Sequence, residues 1–244
     1  MRNIKITNIV ENPQNRLQKV LSPKDHIEAI IELTFQELSK LGTESGTPPK
    51  DGCKSRLIFP SKRDTDKKGV RIVRYSEQEL RFLFVEQFNQ YCQNNHLNWF
   101  YSVETPTKYK YRFSEEKDTP KVDPEKGQSA MFDLTIYNKQ FNRIALIEFK
   151  AGNPAEEDFT KDFLKLREEG ADILTFFIMY VQSYQRNDDP NYDTIASLHR
   201  KIEEPTDAKG KFKQGTKLYC YVLKPSLKYK ETRIEKLIED YQNS

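Results

Sequence analysis

Residues 129–152 read SAMFDLTIYNKQFNRIALIEFKAG, two short apolar runs that each carry acidic residues where a buried strand normally has none. The first run, Met131 to Tyr137, alternates, which predicts Phe132, Leu134 and Ile136 on one face and Asp133, Thr135 and Tyr137 on the other. The second, Arg143 to Lys150, is apolar on both faces, and side chains two apart align Ile144 and Leu146 with Glu148 and Lys150. Asn138 to Asn142 between them fits a hairpin loop. An Asp, a Glu and a Lys therefore fall on adjacent strands of a greasy sheet. Burying them is costly unless they pair or hold a metal.

Helices are expected on both sides of this hairpin in the chain. Ser22-Pro23 has the form of an N-cap followed by proline at the first helical position, and Ile27, Ile30, Ile31, Thr34, Phe35, Leu38 and Leu41 recur at helical spacing up to Gly42. Ser76 opens a second helix, with Leu80, Leu83, Phe84, Phe88 and Tyr91 inward. Glu79, three residues after Ser76, fits a capping box. That leaves Glu77, at the rim of the buried face, as the carboxylate able to look toward the sheet. After Gly152-Asn153-Pro154, residues 155–169 read as an amphipathic helix with Phe159, Phe163 and Leu166 inward, ended by Gly170. Ile173 to Val181 is a continuous apolar run, as in a central strand buried on both faces.

Further strands are predicted at Ile4 to Val10, Trp99 to Val103, Lys108 to Phe113 and Leu218 to Leu223. A short helix is predicted at 194–203 and a closing helix at 227–241, with a turn at 187–192 and a basic loop at 209–217. The sum is an α/β fold, a mixed central sheet flanked by helices on both sides. Residues 1–74 form an N-terminal strand-helix segment and basic loop packed on a core of residues 75–244. The loop from Thr43 to Gly69 is rich in Gly and Pro, and it runs into a basic stretch reaching Arg74. Such a stretch could follow a phosphate backbone or simply face solvent. The alternation of basic and aromatic residues in Lys108 to Phe113 suits a nucleic-acid groove, but a Lys-protected edge strand looks the same.

Composition narrows the function classes. With 244 residues, 32% charged, and a net charge of only +3, the chain is large enough for one sizeable core and too mildly basic for bulk charge to identify a nucleic-acid binder. Aromatic content of 12% offsets a mean hydropathy of -0.83 and argues against wholesale disorder. Three widely spaced cysteines fit reduced thiols, and no apolar run has the length of a signal sequence core or a membrane span. A soluble, cytoplasmic protein is expected. His26, His96 and His199 lie far apart, and no Gly-rich phosphate loop appears.

Other acidic-x-Lys triplets, such as Asp66-Lys67-Lys68, lie in polar surroundings, so strand context distinguishes Glu148-Phe149-Lys150. Asp133, Glu148 and Lys150, with Glu77 on the preceding helix, resemble the PD-(D/E)xK superfamily of restriction-endonuclease-like nucleases. The similarity covers about two thirds of the chain, from about Arg74 to Leu223, although Phe132 stands where the motif's name places proline. The resemblance implies a Mg²⁺-dependent nuclease, with Mn²⁺ able to substitute. Asp133, Glu148 and the Phe149 carbonyl would hold metal, Lys150 would position or deprotonate the attacking water, and Glu77 would assist. It further implies a restriction or phage-defence endonuclease acting on double-stranded DNA, with double-strand cleavage favouring a homodimer. An RNA-cleaving relative and a catalytically silent nucleic-acid-binding module are the alternatives. A buried ion pair that only specifies packing would also account for the charges.

Overall fold

A computed structural model describes residues 21–66, 68–69, 71–112, 121–152, 161–162, 165–166, 168–170, 172–183 and 216–224. The expected strand at Ile4 to Val10, the elements expected at 187–203 and 227–241, His199, Phe113, Phe159 and Phe163 lie outside the described residues.

Helix α1 (Pro23–Leu38) starts as its sequence dictates, with the Asp25 N–H donating to Ser22 Oγ at 3.3 Å and the Ser22 N–H donating to Asp25 Oδ2 at 2.8 Å. It buries Ile27, Ile30, Ile31, Thr34, Phe35 and Leu38. The helix ends at Leu38 rather than Leu41, because Ser39 caps it and the chain turns away. Gly42 is therefore no helix stop. It begins strand β1 (Gly42–Thr43), which pairs in parallel with β2 (Ile58–Phe59). A Cβ at Gly42 would lie 2.8 Å from both Pro49 Cδ and Thr47 O, so only glycine fits there.

The segment expected as loop contains short strands. β3 (Ser61–Thr65) and β4 (Arg71–Val73) form an antiparallel ribbon on which Lys62, Arg63, Lys68 and Arg71 are exposed. The ribbon leads within a few residues to helix α2 (Glu77–Asn94). There the Ser76 N–H donates to Glu79 Oε2 at 2.8 Å, as a capping box requires, and the Ser76 hydroxyl adds a second bond to the same oxygen at 2.7 Å.

Among the described residues, six strands make one mixed sheet. They are β5 (Phe100–Arg112), β6 (Lys121–Val122), β7 (Gln128–Tyr137), β8 (Arg143–Ala151), β9 (Leu174–Ser183) and β10 (Thr216–Lys224), in spatial order β10-β9-β8-β7-β5-β6. The β8-β9 and β9-β10 pairs are parallel and the rest antiparallel. The two strands expected at 99–113 are one long strand, β5. Its register shifts between Pro106 and Lys110, where proline supplies no N–H and Thr107 Oγ1 bonds both the N–H and the carbonyl of Ala130 at 3.1 Å.

Helices α1 and α2 pack together on one sheet face, over Leu134, Ile136, Ala145, Ile147, Phe149, Phe176, Ile178 and Tyr180. Phe132, expected beside Leu134 and Ile136, is buried outside that cluster, with its ring centroid 5.8 Å from Lys165 Nζ. Strand alternation turns Glu148 to the opposite face from Ile147 and Phe149, and there it meets helical residues of the 161–169 stretch.

One acidic side chain fastens the N-terminal elements together. Buried Glu37 on α1 accepts the Lys54 N–H and, at 2.7 Å, the Ser55 N–H, with Lys40 Nζ 3.3 Å away. Burial opposes its charge, yet these donors outweigh burial and hold its pKa below the usual value of 4.5. Replacing Glu37 by Ala strands two backbone donors and is expected to cost about 1–3 kcal/mol of unfolding free energy in denaturant titration. The deficit is largest above pH 4.5 and narrows as pH falls through the lowered pKa of the folded protein.

Candidate active site

The site begins where the sheet splits. The β7-β8 ladder runs from Tyr137 opposite Arg143 to Leu134 opposite Ile147 and stops. Beyond it β7 stays paired with β5 through Phe132 and Met131, while β8 stays paired with β9 through Ala151. The Phe149 N–H, left without a β7 carbonyl, donates to Asp133 Oδ2 at 2.8 Å. A carboxylate thus replaces a ladder acceptor, which explains an acidic residue inside an apolar strand.

Glu148 lies deeper, 2% exposed, with Oε1 2.6 Å from Lys165 Nζ. That ammonium also lies 2.8 Å from Asp162 Oδ1 and donates to the Met131 carbonyl at 2.9 Å. Asp162 Oδ2 is 2.9 Å from Lys150 Nζ, which in turn is 3.9 Å from Glu77 Oε2. Arg81 Nη1 stands 3.7 Å from Asp133 Oδ1. Glu148 Oε1 and Asp162 Oδ2 are both buried, and the ammonium groups of Lys165 and Lys150 are the partners they meet there.

Burial grades across the cluster. Glu148, Asp162 and Lys165 are buried, whereas Glu77, Asp133 and Lys150 reach solvent. Burial, reinforced by the charges of Asp162 and Asp133, pushes the Glu148 pKa well above the carboxylate range against the pull of Lys165. Burial alone would lower Lys150, but Asp162 and Glu77 outweigh it and keep its ammonium charged. Lys165 is held up the same way by Glu148 and Asp162. Glu77 is raised by burial, with Lys150 pulling the other way.

Of the residues singled out from sequence, the fold brings Asp133, Glu148, Lys150 and Glu77 into one cluster. Glu79 is committed to the Ser76 cap, with Arg74 Nη2 at 3.5 Å. Phe149 contributes its N–H to Asp133, and its ring packs edge-on against Phe84. His26 bonds Tyr91 and sits edge-on to Trp99, a structural role. Asp162, Lys165 and Arg81 were missed. The available signals were the i, i+3 spacing of Asp162 and Lys165 beside inward Leu166, and Arg81 one turn after Glu77.

Among the described residues, no three His, Cys, Asp or Glu side chains converge to hold a metal by themselves. No described helix is long and apolar enough to cross a membrane. A cavity of about 500 Å³, lined in part by Lys108, Arg143, Glu169 and Asp172, shares no side chain with the cluster. Comparison of the chain with protein-family models, curated proteins and solved structures gives no match.

The electrostatics generate a stability prediction. Lys165→Met leaves Glu148 buried beside Asp162 without its counter-charge, at a cost of about 3–5 kcal/mol by chemical denaturation. Because the folded state then holds Glu148 protonated with a raised pKa, the deficit grows as pH rises above the carboxylate range. Adding Glu148→Gln in the same background is expected to flatten that pH dependence.

Proposed function

We propose that the chain is a metal-dependent nuclease of the PD-(D/E)xK, restriction-endonuclease-like kind that hydrolyses phosphodiester bonds of DNA. The observation that carries this reading is the split between β7 and β8, at which Asp133, Glu148 and Lys150 meet Glu77 from α2. Support for a polyanionic substrate comes from the basic ribbon. It ends at exposed Arg74, two residues before the Ser76 cap of the helix that carries Glu77.

A divalent ion fits the donor set. Hard cations of this kind take one or two carboxylates and complete their shell with water and substrate phosphate, so three convergent side chains are not required. Asp133, Glu148 and the Phe149 carbonyl are the groups that would hold it. Buried Glu148, whose charge is disfavoured by burial and by Asp162, is the carboxylate that a cation would relieve. When bound, such an ion polarises the phosphoryl group and acidifies a bound water.

The chain's own residues divide the remaining work. Lys150, held cationic by Asp162 and Glu77, acts as a fixed positive charge that orients the water and stabilises the developing phosphorane charge. Its raised pKa makes it a poor base at neutral pH. Glu77, reaching solvent with its pKa raised by burial, is the carboxylate suited to accept a proton there. One observation favours the silent-module alternative, since the Lys165 ammonium contacts Glu148 and Asp162 at once.

The deciding measurement is plasmid nicking with Mg²⁺ or Mn²⁺. Lys150→Ala is expected to slow cleavage by roughly 100-fold or more, the scale of losing one transition-state charge contact, while DNA binding by gel shift persists. Duplex DNA, single-stranded DNA and RNA all left intact by the wild-type protein with either ion would sink the enzymatic reading.

A further inference from the structure

We propose that Lys165 is a competitor built into the site, with its ammonium occupying the same oxygens that a divalent cation must claim and leaving them when the cation binds. The inference rests on the metal-dependent reading above and deepens it, because it names a residue that sets how tightly the ion is held.

The Lys165 ammonium has the surroundings of a bound cation. Three oxygens lie within 2.9 Å of its nitrogen, from two carboxylates and one backbone carbonyl: Glu148 Oε1, Asp162 Oδ1 and Met131 O. Carboxylate and carbonyl oxygens are the donor types that Mg²⁺ and Mn²⁺ select. The shortest of the three reaches Glu148, the most deeply buried carboxylate of the cluster.

Charge balance points the same way. Among the described residues, four carboxylates, on Glu77, Asp133, Glu148 and Asp162, face three cationic groups, on Arg81, Lys150 and Lys165. Keeping the ammonium in place beside a bound divalent ion would set like charges against one Glu148 oxygen. Lysine suits this role because its ammonium is a point charge on a flexible stem, free to leave by rotamer change without moving the backbone. Exposure rises from Glu148 out to Lys150 and Glu77, so the cluster reaches solvent on that side.

Wild-type protein supplies the first test, through amine acylation followed by peptide mass spectrometry. Lys165, 7% exposed, should label slowly, and saturating Mn²⁺ should raise its rate at least about 10-fold relative to Lys24 on the surface of α1. The second test is calorimetric titration of Mn²⁺ into Lys165→Gln, which should bind at least about 10-fold more tightly than wild type. Unchanged or slower Lys165 labelling in a protein that demonstrably binds Mn²⁺ overturns the inference, and so does equal or weaker binding by folded Lys165→Gln. If the variant does not fold, the wild-type labelling decides alone. Should wild type bind Mn²⁺ and cleave DNA with no response at Lys165, only this inference falls. Should neither protein bind the ion, the metal-dependent reading falls with it.

Discussion

A backbone amide inside a protein must find an acceptor, and the parting of β7 from β8 takes the usual one away. The sheet solves this with side chains. Asp133 accepts the Phe149 N–H that no β7 carbonyl reaches, and Lys165 reaches across to the Met131 carbonyl on the other side of the split. Each repair brings a formal charge into an apolar region, and each charge needs a counter-charge. Glu148, Asp162, Lys150 and Arg81 supply them. The polar cluster is therefore tied to the split in the sheet.

The split is held in register from both faces. On one, Phe84 of α2 packs edge-on against Phe149, and the Tyr180 hydroxyl on β9 donates to the Ser76 carbonyl at 2.8 Å. The cap of α2 is thereby pinned to the strand next to β8. This fixes Glu77, the first residue of that helix, near Lys150. On the other face, Asp162 and Lys165 stand one helical turn apart with Leu166 buried beside them. A shift of either helical element would change distances within the cluster before it disturbed the core.

Sequence alone was most informative where short-range patterns govern. The Ser22 and Ser76 caps, the inward faces of α1 and α2, the hairpin at 138–142 and the buried run of β9 all follow from spacing and turn chemistry, and they appear as expected. What failed depended on distant partners. β5 is a single strand because Thr107 bridges its bulge to β7. Asp133, Glu148 and Lys150 were legible because charge on an apolar strand is conspicuous. Asp162 and Lys165 were not, since charge on an amphipathic helix is ordinary and nothing local shows that it faces inward.

The strongest argument that the cluster serves more than packing is energetic. A buried ion pair is weak support for stability, because hydrophobic residues of similar volume often serve as well or better. Phe132, Leu146, Leu166 and Phe177 are all buried, so apolar packing is available to the fold around the cluster. Yet the chain keeps Glu148 where burial and two neighbouring carboxylates disfavour its charge, and it holds Lys150 cationic at the open edge. Stability alone could be met by shorter and more apolar side chains at these positions. Carboxylates kept where burial disfavours their charge, beside a fixed ammonium, are therefore the groups that packing explains least.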